Sequence, residues 1–149
     1  MGDHQVADVA LAWGQGLGYD GRGKDGHGGD QPDWGAGMSG ISTHVLDVAA
    51  GRPAPGMIVA LARKDGDVWG DCGGGQTDPD GRCRELLAAN GVEKGLYRLT
   101  FQTGPYFACD ERRTLYPEVT ITFAVEVQGG SYHIPLLLSP FGYTTYRGS

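Results

Sequence analysis

The chain has 149 residues and a formal net charge of −6, with 18 acidic side chains against 12 lysines and arginines. That length fits one domain, or one domain and a tail, and the acidic balance argues against nucleic acid and anionic membrane surfaces as partners. No apolar run approaches the length of a membrane span.

Residues 1–40 read as a flexible leader. The stretch "QGLGYDGRGKDGHGGDQPDWGAGMSG" is rich in Gly and Asp and poor in β-branched residues. It buries too little apolar area to offset the entropy of ordering it. Before it, Val6, Val9, Ala10 and Trp13 recur at helical spacing, with Asp3 as an N-cap and Gly14 as a stop, so one short helix over 4–13 is expected. The N-terminus lacks a basic start and Asp8 interrupts its apolar patch, which makes it a poor secretory signal. The three cysteines, Cys72, Cys83 and Cys109, form no CxxC pair and are odd in number. They read as reduced, small hydrophobes of a cytoplasmic protein.

From Ile41 the texture changes. "ISTHVLDVA" reads as a strand, "GRPAPG" as a turn, "MIVALARK" as a second strand, and "DGD" as the turn into "VWGDC". "GGGQTDPDGR" reads as a loop ending in a DG turn, with a short strand at "CRELL". In "GLYRLTFQT", Tyr97, Leu99, Phe101 and Thr103 share one face, and Leu96, Arg98, Thr100 and Gln102 the other. "GPYFACDERR" is the one place for a short helix. "EVTITFAVEV", "SYHIPLLLS" and "YTTYRGS" close the chain as strands, with Gly129–Gly130 as a tight hairpin between the first two. Seven or eight short strands separated by Gly, Pro and Asp turns predict an all-β sandwich or barrel over 41–149.

Period-2 sorting brings out the candidate chemistry. His44 shares a face with Leu46 and Val48, and His133 with Pro135 and Leu137. Tyr146 shares one with Thr144 and Gly148, while Arg147 and Ser149 have the opposite parity. Ile41, Val45, Ile134, Leu136 and Leu138 suit the core. The histidine face is therefore the outer one, half apolar, and a candidate subunit interface. Neither an HxH pair nor a carboxylate triad supports a metal, no GxSxG supports a nucleophilic serine, and "GRGKDGHGG" lacks phosphate-loop spacing. A histidine general base acting on water remains, with an arginine such as Arg82 for developing oxyanion charge.

These stretches resemble the 5-hydroxyisourate hydrolase branch of the transthyretin family. "ISTHVLDVAAGRPAPGM", "TDPDGRC", "YFACDERRTLYPEVTITF" and "HIPLLLSPFGYTTYRGS" match its motifs in order from Ser42 to Ser149. The resemblance implies a transthyretin-like sandwich of two four-stranded sheets with one short helix. It implies a homotetramer with sites in a channel between dimers, and neither metal nor organic cofactor. The implied activity is hydrolysis of a small purine-derived substrate, 5-hydroxyisourate, to 2-oxo-4-hydroxy-4-carboxy-5-ureidoimidazoline. Carried over by motif, His44, Arg82, His133 and Ser149 are the catalytic set, and His44, Arg82, Tyr146, Arg147 and Gly148 bind substrate. The sequence does not choose between the two histidines as base. The terminal Tyr146–Ser149 segment is expected to line the channel. The alternative is a transthyretin-like carrier that binds without turnover; two histidines and an arginine would polarise its channel and favour the enzyme.

Overall fold

The computed structural model describes residues 40–149. The expected leader and its helix over 4–13 lie outside the described residues. Two sheets face each other across one core. The first is built around β1 (Ile41–Asp47). On one edge β1 pairs antiparallel with β5 (Arg82–Leu87) and then with β2 (Arg52–Pro53). On the other edge it pairs parallel with β8 (Tyr132–His133) and then β9 (Leu136–Ser139), and β10 (Gly142–Thr145) lies antiparallel outside β9. The second sheet has the order β4 (Val68–Gln76), β3 (Ile58–Asp65), β6 (Gly95–Phe101), β7 (Val119–Val125), all antiparallel. With β2 continuing the line of β5 and β9 that of β8, both sheets are four strands wide. The one α-helix among the described residues, α1 (Thr103–Cys109), follows β6 and overlaps the stretch expected for it, starting one residue earlier, at Thr103, and ending at Cys109.

The alternating pattern forms the core as expected. Ile41 and Val45 of β1, Tyr97, Leu99 and Phe101 of β6, and Leu136 and Leu138 of β9 are fully buried, and Ile134 nearly so. Their neighbours of opposite parity in β1, His44 and Leu46, are only partly covered. The transition from β8 to β9 is a break at Ile134–Pro135. A proline has no N–H to give the ladder, so one expected strand appears as two.

Two expectations are corrected. Gly129–Gly130 is no hairpin: β7 pairs with β6 in one sheet and β8 with β1 in the other, so this turn carries the chain between sheets. It is closed by Gly130 N–H donating to the Val127 carbonyl, with Gly129 at φ 68°. Gly73–Gly75 is not loop but the end of β4, which runs to Gln76. The glycines are needed there because β5 crosses close by. A Cβ on Gly73 would collide with the Leu86 carbonyl, and one on Gly75 would stand 2.8 Å from Cys83 Sγ.

One buried carboxylate ties α1 to β1. Asp47 is 0% exposed and accepts from Arg112 Nη2 at 2.7 Å, Tyr106 Oη at 2.8 Å and the Ala50 amide at 2.9 Å. Burial pushes its pKa up, but these three donors outweigh burial and leave it lowered.

Candidate active site

His44 sits in the middle of β1, and the antiparallel ladder sets Arg82 of β5 directly opposite it. Directly opposed residues project from the same face of a sheet. The loop before Arg82 is wound around Asp78. Its Oδ1 accepts from the Asp80 and Arg82 amides, both at 2.9 Å, and Gly81 takes φ 74° at the turn. A left-handed turn residue is best met by glycine. The same loop turns the Asp80 carbonyl onto His44, 2.8 Å from Nε2. A carbonyl only accepts, so Nε2 of His44 carries the proton and the neutral ring keeps its lone pair on Nδ1.

His133 comes from the other side of β1. The parallel register pairs it with Ser42, whose Oγ lies 2.9 Å from its Nδ1. The distal Nε2 of His133 is thus the nitrogen that Ser42 does not engage. Because Ser42 and His44 are two apart on one strand, the two imidazoles share that face.

The electrostatics follow from this crowding. Burial first, then the Arg82 charge, lowers the pKa of His44, with the Asp80 carbonyl and the Asp78 and Asp80 carboxylates opposing. Burial, then Arg82, then His44 lowers that of His133. Both rings are held neutral at neutral pH, as a base must be before it accepts a proton.

The chain end continues the ladder. Thr144 pairs with Leu137 in β10, and the same register returns at the isolated bridge between Gly148 and His133. Gly148 N–H donates to the His133 carbonyl at 2.8 Å. Tyr146 falls between these two on the outer side and is 54% exposed. Arg147 has the other parity. Its guanidinium stacks 5.2 Å from the centroid of Tyr132, a residue on the core side of β8. Of the expected site residues, the structure therefore gathers His44, Arg82, His133 and Gly148, and keeps Tyr146 on the same outer face. It turns Arg147 away along the inner parity. Ser149 is exposed.

Two contributors were missed in the sequence. Ser42 shares a face with His44, which period-2 sorting could have shown, but its partner His133 lies 91 residues away. The Asp80 carbonyl is a backbone group and leaves no mark in residue type. A cavity of 310 Å³ lies elsewhere, beside α1, lined by Arg52, Ile58, Pro105, Tyr106 and Asp110 among others. None of the gathered site residues lines it.

Residues 41–148 match the HIUase/Transthyretin family. A 5-hydroxyisourate hydrolase of Salmonella typhi is 42% identical over 114 residues, covering 76% of this chain and 84% of that protein. The solved 5-hydroxyisourate hydrolase of Klebsiella pneumoniae superposes with a TM-score of 0.65 at 35% identity, over 75% of this chain and 94% of that one. Sea bream transthyretin in complex with thyroxine superposes with a TM-score of 0.68 at 28% identity, over 72% and 93%.

Proposed function

Because the chain belongs to the HIUase/Transthyretin family, we propose that its outer-face histidines and Arg82 perform the ring-opening chemistry of its hydrolase members. The protein is an enzyme that hydrolyses 5-hydroxyisourate to 2-oxo-4-hydroxy-4-carboxy-5-ureidoimidazoline. The observation that carries the residue assignment is the gathering of two neutral imidazoles and one guanidinium on a single sheet face.

His133 is the general base. Ser42 engages its Nδ1 and leaves Nε2 as the distal nitrogen, whereas the distal nitrogen of His44 is spent on the Asp80 carbonyl. Nε2 takes a proton from water as the water oxygen bonds to a ring carbonyl carbon. The carbonyl oxygen becomes an oxyanion, and the Arg82 guanidinium faces it with a planar fork of donors. The ring C–N bond then breaks, and the proton held on His133 passes to the leaving ring nitrogen. The product keeps the new carboxyl. His44, fixed by its Nε2–H, presents the Nδ1 lone pair to a substrate N–H or hydroxyl. Tyr146 adds a phenol at the edge of this face, and the exposed Ser149 a hydroxyl for substrate.

The reading includes a homotetramer. The site face carries Leu46, Leu137 and Tyr146, and Val48 beside it is 55% exposed. A second copy laid on this face would cover them and enclose the substrate. The likeness to thyroxine-bound transthyretin concerns the shared sandwich. A charged guanidinium on the same face as two imidazoles suits polar turnover better than storage of an apolar ligand.

The test generates 5-hydroxyisourate in place from urate and urate oxidase and follows its absorbance decay. Decay faster with the protein than without it, and near background with His133→Ala and Arg82→Ala, supports the reading. Acceleration that survives both substitutions removes these residues from the chemistry.

A further inference from the structure

We propose that Ser42 and Gly148 are positioning residues for this hydrolysis, together fixing the His133 ring with its lone pair on Nε2 toward the substrate. The inference rests on His133 as the base and adds what holds it in the working form.

Three observations carry it. Ser42 Oγ is 2.9 Å from Nδ1 of His133, and Ser42 is 2% exposed, so bulk water does not compete for that contact. Gly148 flanks the other side of the ring. A Cβ built there would stand 2.5 Å from His133 Cδ2 and 3.2 Å from Cγ. The ring therefore lies in space that only a glycine leaves open. Gly148 also donates its N–H to the His133 carbonyl, so one residue pins the strand and leaves room for the imidazole.

A neutral imidazole has one N–H and one lone pair, and the bond made at one nitrogen selects the form of the other. A free histidine side chain favours the Nε2–H form, which would turn a donor toward the attacking water. A serine hydroxyl that accepts from Nδ1–H favours the other form. When Nε2 takes its proton, the Nδ1–H···Oγ bond persists and gains charge assistance. Ser42 thus supports His133 before and after proton transfer. Gly148 leaves the ring the room it needs to keep that bond.

Nitrogen-15 NMR of the histidine-labelled full chain reads the tautomer directly, with kinetics run beside it. In the wild type at mildly alkaline pH, His133 is expected as Nδ1–H. His44 is expected as Nε2–H and serves as the internal reference. Ser42→Ala should return His133 to Nε2–H and lower kcat roughly 10- to 100-fold, the usual scale for loss of a group that orients a functional histidine, with KM little changed. Ser42→Thr, which keeps the hydroxyl, should restore the tautomer and most of the rate. Gly148→Ala should lower kcat by displacing the ring.

A wild-type His133 found as Nε2–H, or a Ser42→Ala protein with altered tautomer and unchanged kcat, overturns the proposal while leaving the hydrolase intact. Wild type that fails to speed 5-hydroxyisourate decay overturns the hydrolase reading and the positioning role with it.

Discussion

His44 and Arg82 face each other across the antiparallel ladder between β1 and β5, so a permanent cation stands beside a titratable ring. Arg82 lowers the pKa of both His44 and His133, second in each case to burial. The active form is neutral, so kcat/KM should hold from neutral pH down past 6.5 and fall only below it. Arg82→Gln removes the cation. Its residual activity should therefore lose its acid limb at a higher pH than the wild type does. A pH–rate profile of the two proteins checks this, and an acid limb that stays put would show that the guanidinium does not act on these rings.

His133→Ala should lower kcat by about 10²–10⁴-fold, the usual worth of positioned general-base assistance. Arg82→Ala should cost about 10²–10³-fold, the scale for one lost oxyanion donor. The double variant should lose less than the product of the two, because both act on one transition state. Single-turnover absorbance decay measures all three against the spontaneous background.

Deleting residues 147–149 removes the rung between Gly148 and His133 but none of the buried core. Activity should fall by at least about tenfold, the scale set by loss of an orienting contact, while the thermal midpoint stays close to that of the wild type. Calorimetry beside the decay assay separates the two effects. A large loss of midpoint would make the chain end a structural strand and no more.

Asp47→Asn should destabilise the fold by about 3 kcal/mol, the low end for a broken buried ion pair because Arg112 is partly exposed. Its folded pKa lies below the 3.8 of an ordinary aspartate. The stabilisation is therefore complete above that value and is lost as pH falls through the lower, folded one. Urea unfolding at pH 7 and near pH 3 should show a gap between wild type and Asp47→Asn that narrows in acid. A constant gap would mean that the lost stability does not come from the charge.

The face assignment of the site was legible in the sequence because alternation is local: Ile41 and Val45 fall in, His44 falls out, and nothing distant changes that. The family motifs then brought Arg82 and His133 to the same place, and the structure sets both beside β1. What failed to show were relations between strands. Gly129–Gly130 has the composition of a hairpin turn, yet only the pairing of β7 with β6 and β8 with β1 reveals that it links two sheets. Gly73–Gly75 has the composition of a loop because its reason for lacking side chains is another strand. Arg147 matches a substrate-binding position by motif, and its stacking on Tyr132 involves a partner in another strand that residue types do not name.

That glycine strip reaches the chemistry indirectly. β5 begins at Arg82, and its Cys83 and Leu86 lie against the bare backbone of Gly75 and Gly73. The strip works as a spacer gauge: it sets how closely β5, the strand that begins at Arg82, approaches β4. A single methyl added at Gly73 would leave every site residue in place by name and still press on Leu86 of the strand that carries the arginine. The enzyme is therefore vulnerable at a point with no functional group at all, on the far layer of the sandwich, where a dimension rather than a side chain is what has to be kept.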